Sequence, residues 1–187
     1  MIDSLDTLRG LYGPARERSV KKQMAKLDRH ARRFLELSPF VVLASGADGA
    51  FDASPRGGDP GFVKAPDDGT LLVPDSPGNN RLDTLQNIVR SGSLGMLFFV
   101  PGMDETLRVN GRATLVDDEA TLRLCADARR TPKLVIRVAI ADVYLHCAKA
   151  LMRSKLWGPE NRVERSVLPS MGQMMQEQIG RDGPGET

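Results

Sequence analysis

The chain has 187 residues and a mass of 20.4 kDa, enough for one domain with a sizeable core, or one domain with arms. Its 26 basic and 24 acidic residues leave a net charge of +2, which argues against a dedicated nucleic-acid binder with a basic face. With two cysteines only, Cys125 and Cys147, no disulfide framework is needed, and a reducing, cytoplasmic setting is the simplest reading. The first residues, MIDSLDTLRGLYG, contain no apolar signal core, and no run approaches the ~18 apolar residues of a membrane span.

Residues 17–37 have the pattern of a helix, with Val20, Met24, Leu27, Ala31 and Phe34 on one stripe and a basic opposite face. Pro39 ends it. FVVLAS reads as a strand, Asp48-Gly49 as a hairpin turn, and FDAS as the returning strand. SPRGGDPGF is rich in glycine and proline and reads as a loop. TLLVP follows as a strand, and a helix begins past Arg81 with Leu82, Leu85, Ile88 and Val89 on one face. LGMLFFV is a buried strand. ETLRVNGRATLV alternates, with Leu107, Val109 and Ala113 on one side and Arg108, Asn110 and Arg112 on the other. EATLRLCADAR reads as a short helix, Lys133 to about His146 as a long strand, and AKALMRSKLW as a helix. The tail from residue 158 carries several glycines and prolines, and its end frays.

Helices do not alternate regularly with strands, so a doubly wound parallel sheet is not expected. The hairpins favour an antiparallel sheet, and about six strands suit a small barrel. The expected organisation is an arm over residues 1–16, a main domain over 17–157, and a tail over 158–187.

Three cationic places lie beside glycine- or asparagine-rich turns. Asn79, Asn80 and Arg81 sit at the mouth of a helix, where free N–H groups and the helix dipole suit a phosphate. The same asparagines could simply cap the helix, with Asp83 complementing the dipole. Arg56 and Gly57 lie in a loop that either approaches a ligand or only needs unusual backbone angles. Arg108 and Arg112, on the polar strand face, either serve a ligand or pair with acidic neighbours. Arg108 and Arg112 are a pair on a strand face and not at a turn, so His146, Lys149, Arg153 and Trp157 form the third place. His146 and Cys147 are adjacent on a strand and point apart, so they do not make a metal site. His30 reads as exposed or structural, and Cys125 as packed core. There is no Walker loop and no dinucleotide fingerprint.

Four stretches, SPFVVLAS…DGAFDASPRGGDPGF, TLLVPDSPGNNRLDTLQNI, LFFVPGMDETLRVNGRATL and HCAKALMRSKLW, together resemble the pyridoxamine 5′-phosphate oxidase-like family, in particular its FMN-binding split-barrel flavoproteins. The resemblance runs from about Val20 to Trp157. It implies a mainly β fold, a six-stranded antiparallel split barrel with flanking helices, assembled as a homodimer with FMN at the subunit interface. It matches Asn79, Asn80 and Arg81 to the phosphate seat. Arg56 and Gly57 match the segment along the flavin, and Pro74 and Asp75 the strand end beside its ring. Arg108 and Asn110 match the strand lining the cofactor. Lys149, Arg153 and Trp157 match a segment reaching the flavin of the other subunit.

The expected activity is therefore that of an FMN-dependent oxidoreductase acting on a small organic molecule, with no nucleic-acid or membrane partner. The tail departs from the vitamin B6 oxidase, whose C-terminal segment has its own tryptophan, arginine and histidine; here it has no histidine and no tryptophan. Pyridoxamine phosphate is thus not the expected substrate. The rival readings are a non-catalytic flavin or haem carrier or sensor of the same fold, an F420-dependent reductase, and a module whose basic helix binds an acidic partner. No residue stands out as a general acid or base; His146 is the nearest.

Overall fold

The computed structural model describes residues 2–75, 78 and 80–180. Six strands, β1 (Phe40–Ala47), β2 (Ala50–Gly57), β3 (Thr70–Pro74), β4 (Ser93–Phe99), β5 (Thr106–Val116) and β6 (Val135–His146), form one antiparallel sheet in the order β2-β1-β4-β5-β6-β3. Among the described residues, seven α-helices accompany it: α1 (Leu5–Tyr12), α2 (Glu17–Lys21), α3 (Arg29–Leu37), α4 (Asp83–Ser91), α5 (Glu119–Leu124), α6 (Lys149–Ser154) and α7 (Met171–Ile179). This curled sheet with helices at its margins is the expected split-barrel architecture.

The alternation of each strand decides its inner face. Val41 and Leu43 on β1, Phe98 on β4, Leu107 and Val109 on β5, and Val143 on β6 are fully or almost fully buried. Such burial stabilises by about 1.5–3 kcal/mol per large side chain. Phe34 and Leu35 of α3 and Leu85 and Ile88 of α4 complete the same core. The β1–β2 hairpin turns at Asp48 and Gly49, both at positive φ, as the Asp-Gly pair predicts.

The helix expected over residues 17–37 is not continuous. It stops at Lys21 and resumes at Arg29. Between them Met24 pairs with β6: its N–H donates to the Val143 carbonyl at 3.0 Å, and the Val143 N–H returns to Met24 at 2.8 Å. The reason lies in the sheet. β3 pairs only with Val135 to Ala139 of β6, which leaves the second half of that strand with an open edge. Met24 satisfies part of it. Asp28 then caps α3, accepting from the Ala31 N–H at 2.7 Å. Leu27, Ala31 and Phe34 are buried as the stripe requires, but Val20 is 55% exposed.

A second correction concerns SPRGG. β2 runs on through Ser54, Pro55, Arg56 and Gly57, paired with β1 as far as Phe40. Proline is tolerated because β2 is an edge strand. The helices α1 and α7 were not foreseen; Ser4 caps the first, and Ser170 and Gln173 form a capping box on the second. Neither buries a residue.

One irregularity sets the faces of the site. Asn110 pairs with Asp142, but Gly111 pairs with Ile140, so Ala141 is an extra residue on β6. The bulge shifts the alternation by one. Ile136 and Val138 face inward before it, Val143 after it. Asp142, Tyr144 and His146 thereby share the outer face with Asn110, Arg108 and Thr106, their partners across the ladder. Gly111 permits this, because a Cβ there would collide with the Ala139 carbonyl oxygen. Gly111→Ala should therefore destabilise the fold by about 2 kcal/mol or more. Gly69→Ala, where a Cβ meets only ordinary contact at 3.5 Å, should cost far less. Urea denaturation of the two variants checks this; equal midpoints would refute the role of Gly111.

Candidate functional site

The start of α4 is locked to β2. The Asp52 carboxylate accepts from Thr84 Oγ1 at 2.6 Å and from Ser54 Oγ at 3.0 Å. Asn87 Nδ2 donates to the buried Ser45 Oγ at 3.1 Å. Arg56, half-buried, shares the face of β2 that carries Asp52 and Ser54. Its Nη1 donates to the Pro55 carbonyl at 2.9 Å.

At the mouth of the helix Asn80 does not occupy the capping position. The N-cap residue is Leu82, at φ 61, and it makes no side-chain bond to the first turn. Asn80 lies two residues earlier, also left-handed at φ 58. Asp83 lies in the first turn, as expected, and binds Arg81 Nε at 3.0 Å. Gln86 Nε2 donates to the Arg81 carbonyl at 3.0 Å. Asn79 lies outside the described residues. Among the described residues, no side chain caps the first turn of α4, where free N–H groups and the helix dipole favour an anion.

The ends of β2 and β3 meet at a cavity of about 170 Å³. Gly57 and Pro74 line it, with Lys64, Cys125, Asp127 and Arg130. The Asp75 N–H donates to the Leu134 carbonyl at 3.0 Å, and Arg130 Nη1 reaches the Asp75 carbonyl at 3.5 Å. The backbone N–H groups of Arg129 and Arg130 hold the Asp127 carboxyl below the usual range. Burial pushes the Cys125 thiol up, against the opposing charge of Lys64.

The outer sheet face holds the third group. Arg108 Nη1 donates to the Tyr144 hydroxyl at 3.1 Å, and its guanidinium lies 5.8 Å from the ring centroid. Asn110 Nδ2 donates to Asp142 at 3.0 Å. The His146 ring lies 5.1 Å from the Tyr144 ring. Lys22 Nζ lies 5.2 Å from the Tyr144 ring and donates to the Leu145 carbonyl at 2.7 Å. Desolvation, Arg108 and Lys22 together hold the His146 imidazole below its ordinary pKa. Next to this group an open groove of about 730 Å³ is floored by Ala44, Gly46 and Gly95 and flanked by Phe51, Asn110 and Arg112. Phe51 is 90% exposed.

Trp157 Nε1 donates to the Met103 carbonyl at 2.8 Å, which pins the segment after α6 to the β4–β5 turn. Lys149 and Arg153 are exposed and make no hydrogen bond or ion pair among the described residues. Among those residues no group of three or more His, Cys, Asp or Glu side chains could hold a metal ion.

The expected residues thus gather in separate places on the single chain. Gly57 and Pro74 line one cavity, with Asp75 at its margin. Arg108 and Asn110 share the outer face. Arg56 lies on the opposite face, on the strand that docks the start of α4. Asp52, Thr84, Lys22 and Tyr144 were missed. Tyr144 could have been found, since Asp142, Tyr144 and His146 alternate as a polar face; Lys22 could not, because its place depends on the break in the helix.

A protein-family model described as pyridoxamine 5′-phosphate oxidase matches residues 27–147. The chain belongs to the pyridoxamine 5′-phosphate oxidase family. No curated protein matches it significantly. Among solved structures it is similar to HupZ of Group A Streptococcus, with 17% identity, a TM-score of 0.52, and coverage of 64% of this chain and 93% of that one. It is also similar to a putative pyridoxamine 5′-phosphate oxidase of Lactobacillus delbrueckii, with 19% identity, a TM-score of 0.51, and coverage of 65% and 95%. At these identities the structural likeness speaks for the family's fold.

The two cysteines give a direct check on the cavity. Cys147 is exposed and Cys125 buried, and the Cys125 thiol stays protonated to higher pH than usual. A thiol reagent at neutral pH should label Cys147 quickly and Cys125 at least about tenfold more slowly. Equal rates, read by peptide mass spectrometry, would mean that the cavity is open around Cys125.

Proposed function

We propose that the protein is an FMN-binding, homodimeric, cytoplasmic oxidoreductase that acts on a small organic molecule other than pyridoxamine phosphate. The observation that carries this reading is the first turn of α4, docked on β2 by Asp52 and Thr84 and without a side-chain cap among the described residues, with Asn80 and Arg81 just before it in the chain. Backbone N–H groups at a helix start and a forked guanidinium suit a phosphate monoester.

The fit extends beyond the phosphate. The outer sheet face has shallow alanine and glycine ground with Asn110 and Arg112 at its edge, dimensions and polarity that suit a flat heteroaromatic ring. That face also exposes Phe40, Phe51, Ala44, Ala53 and Pro55. Exposed apolar ground of this kind favours burial against a second copy. Because Arg56 and Arg108 lie on opposite faces of one sheet, a partner subunit would unite the two groups in one site.

A bound flavin would supply the redox chemistry itself. The residues of this chain bind, orient and tune. Arg81 and the α4 start hold the phosphate. Asn110 and the glycine floor admit the ring. Arg108, steadied by the Tyr144 hydroxyl, sets a fixed positive charge near it.

Purified protein should be yellow and should release FMN on denaturation; a colourless protein that binds neither FMN nor F420 would overturn the reading. Arg81→Ala should weaken FMN binding about tenfold, the loss of one charge-assisted contact. Arg108→Ala should lower the reduction potential of the bound flavin, and an unchanged potential would remove Arg108 from that role. Turnover with NAD(P)H separates an enzyme from a flavin carrier.

A further inference from the structure

Four side chains from three parts of the chain meet on the outer face of the sheet. Lys22 comes from the stretch between α2 and Met24, Arg108 from β5, and Tyr144 and His146 from β6. Two permanent cations and an imidazole lie within 5.1–5.8 Å of one phenol ring. The arrangement depends on the two features that sequence periodicity did not show. The helix break brings Lys22 beside β6, and the Ala141 bulge turns Tyr144 and His146 outward.

The cluster is charged on one side only. Neither Lys22 nor Arg108 forms an ion pair among the described residues. The acid that shares their face, Asp142, is held by Asn110. Like charges brought together without a counter-ion repel, and such a group is stabilised by an anion. A second observation points the same way. His146 Nε2 is buried and has no hydrogen-bond partner among the described residues. A buried polar atom of this kind ordinarily has one.

We propose that Lys22, Arg108 and His146, grouped around Tyr144, form an oxyanion-binding site for the phosphate group of a small-molecule ligand. Arg108 supplies a guanidinium whose remaining N–H groups are directed by its bond to the Tyr144 hydroxyl. Lys22 supplies an ammonium at the rim, anchored on the Leu145 carbonyl with further N–H groups to donate. His146 supplies Nε2–H once it is protonated, so that anion binding and proton uptake are linked. The proposal shares Arg108 with the flavin reading but stands on its own observations. Its phosphate could be that of a substrate or that of FMN itself.

The chain has two histidines only, His30 and His146, so their ring resonances can be followed separately. His30 is exposed, on α3, and serves as the internal control. The measurement is a pH titration of both imidazoles by NMR, with inorganic phosphate or with chloride at equal ionic strength. In chloride, His146 should titrate below its ordinary value, through the charges of Arg108 and Lys22 and its burial. Phosphate should raise its pKa, by about one unit if the anion prefers the protonated form tenfold, and leave His30 unmoved. Lys22→Ala and Arg108→Ala should each raise His146 in chloride, by removing a like charge, and should weaken or abolish the response to phosphate. Lys22 is exposed, so its variant should keep the fold.

Repeating the titration with FMN identifies the source of the phosphate. If FMN also raises His146, and phosphate, which raises it in the flavin-free protein, adds nothing once FMN is bound, the cluster holds the flavin's own phosphate and the seat at α4 is wrong. If His146 still responds to phosphate with FMN bound, the cluster serves a second, phosphorylated ligand. If phosphate moves His146 no more than His30, the proposal is overturned, whatever the flavin does.

Discussion

The site depends on the two-faced strand β5. Leu107 and Val109 must be buried for the barrel to have a core, and the pleat then turns Arg108 and Asn110 outward. A slip of one residue would bury a guanidinium and expose the core face, so packing and charge fix the same register. Across the ladder, β6 could not match this alternation along its whole length without the extra residue at Ala141. Gly111 is where the two backbones come close enough to allow it. The outward polar group of β5 and β6 is thus a consequence of how the core is packed.

The same economy of edges explains the rest. β2 and β3 are the margins of the sheet. β2 is covered in part by α4, through Asp52 and Thr84. β3 is bonded by Lys64, whose backbone pairs with Leu72 in both directions, and the half of β6 beyond β3 is met by Met24. Each covering segment satisfies open backbone groups and also brings candidate site residues into place. α4 carries its first turn, the turn before β3 carries Lys64, and the break before α3 carries Lys22.

The six strands and most elements were legible in the sequence, because period-two alternation in TLRVNGRATLV and the Asp48-Gly49 turn are local signals. What local pattern could not show was anything decided by an edge. The apolar stripe of residues 17–37 is a fair helix, and only the unpaired half of β6 breaks it. SPRGG looks like a loop, and only its position at the sheet margin lets Pro55 stay in a strand. Asn80 looks like a cap, but the backbone turns left-handed at Asn80 and Leu82, and Leu82 occupies the capping position. The family resemblance named residues on both faces of the sheet, Arg56 on one and Arg108 on the other. No single-chain pattern can say how two opposite faces serve one ligand.

The central proposal is that this chain recognises the phosphate of a flavin at the start of α4, with Arg81. Comparing its affinity for FMN with that for riboflavin, by fluorescence quenching at fixed ionic strength, tests this most directly. The account predicts that FMN binds at least about a hundredfold more tightly, as expected for an anion held by a guanidinium and a helix start. It also predicts that Arg81→Ala removes much of the difference and leaves riboflavin binding unchanged. Equal affinities for the two compounds would contradict it.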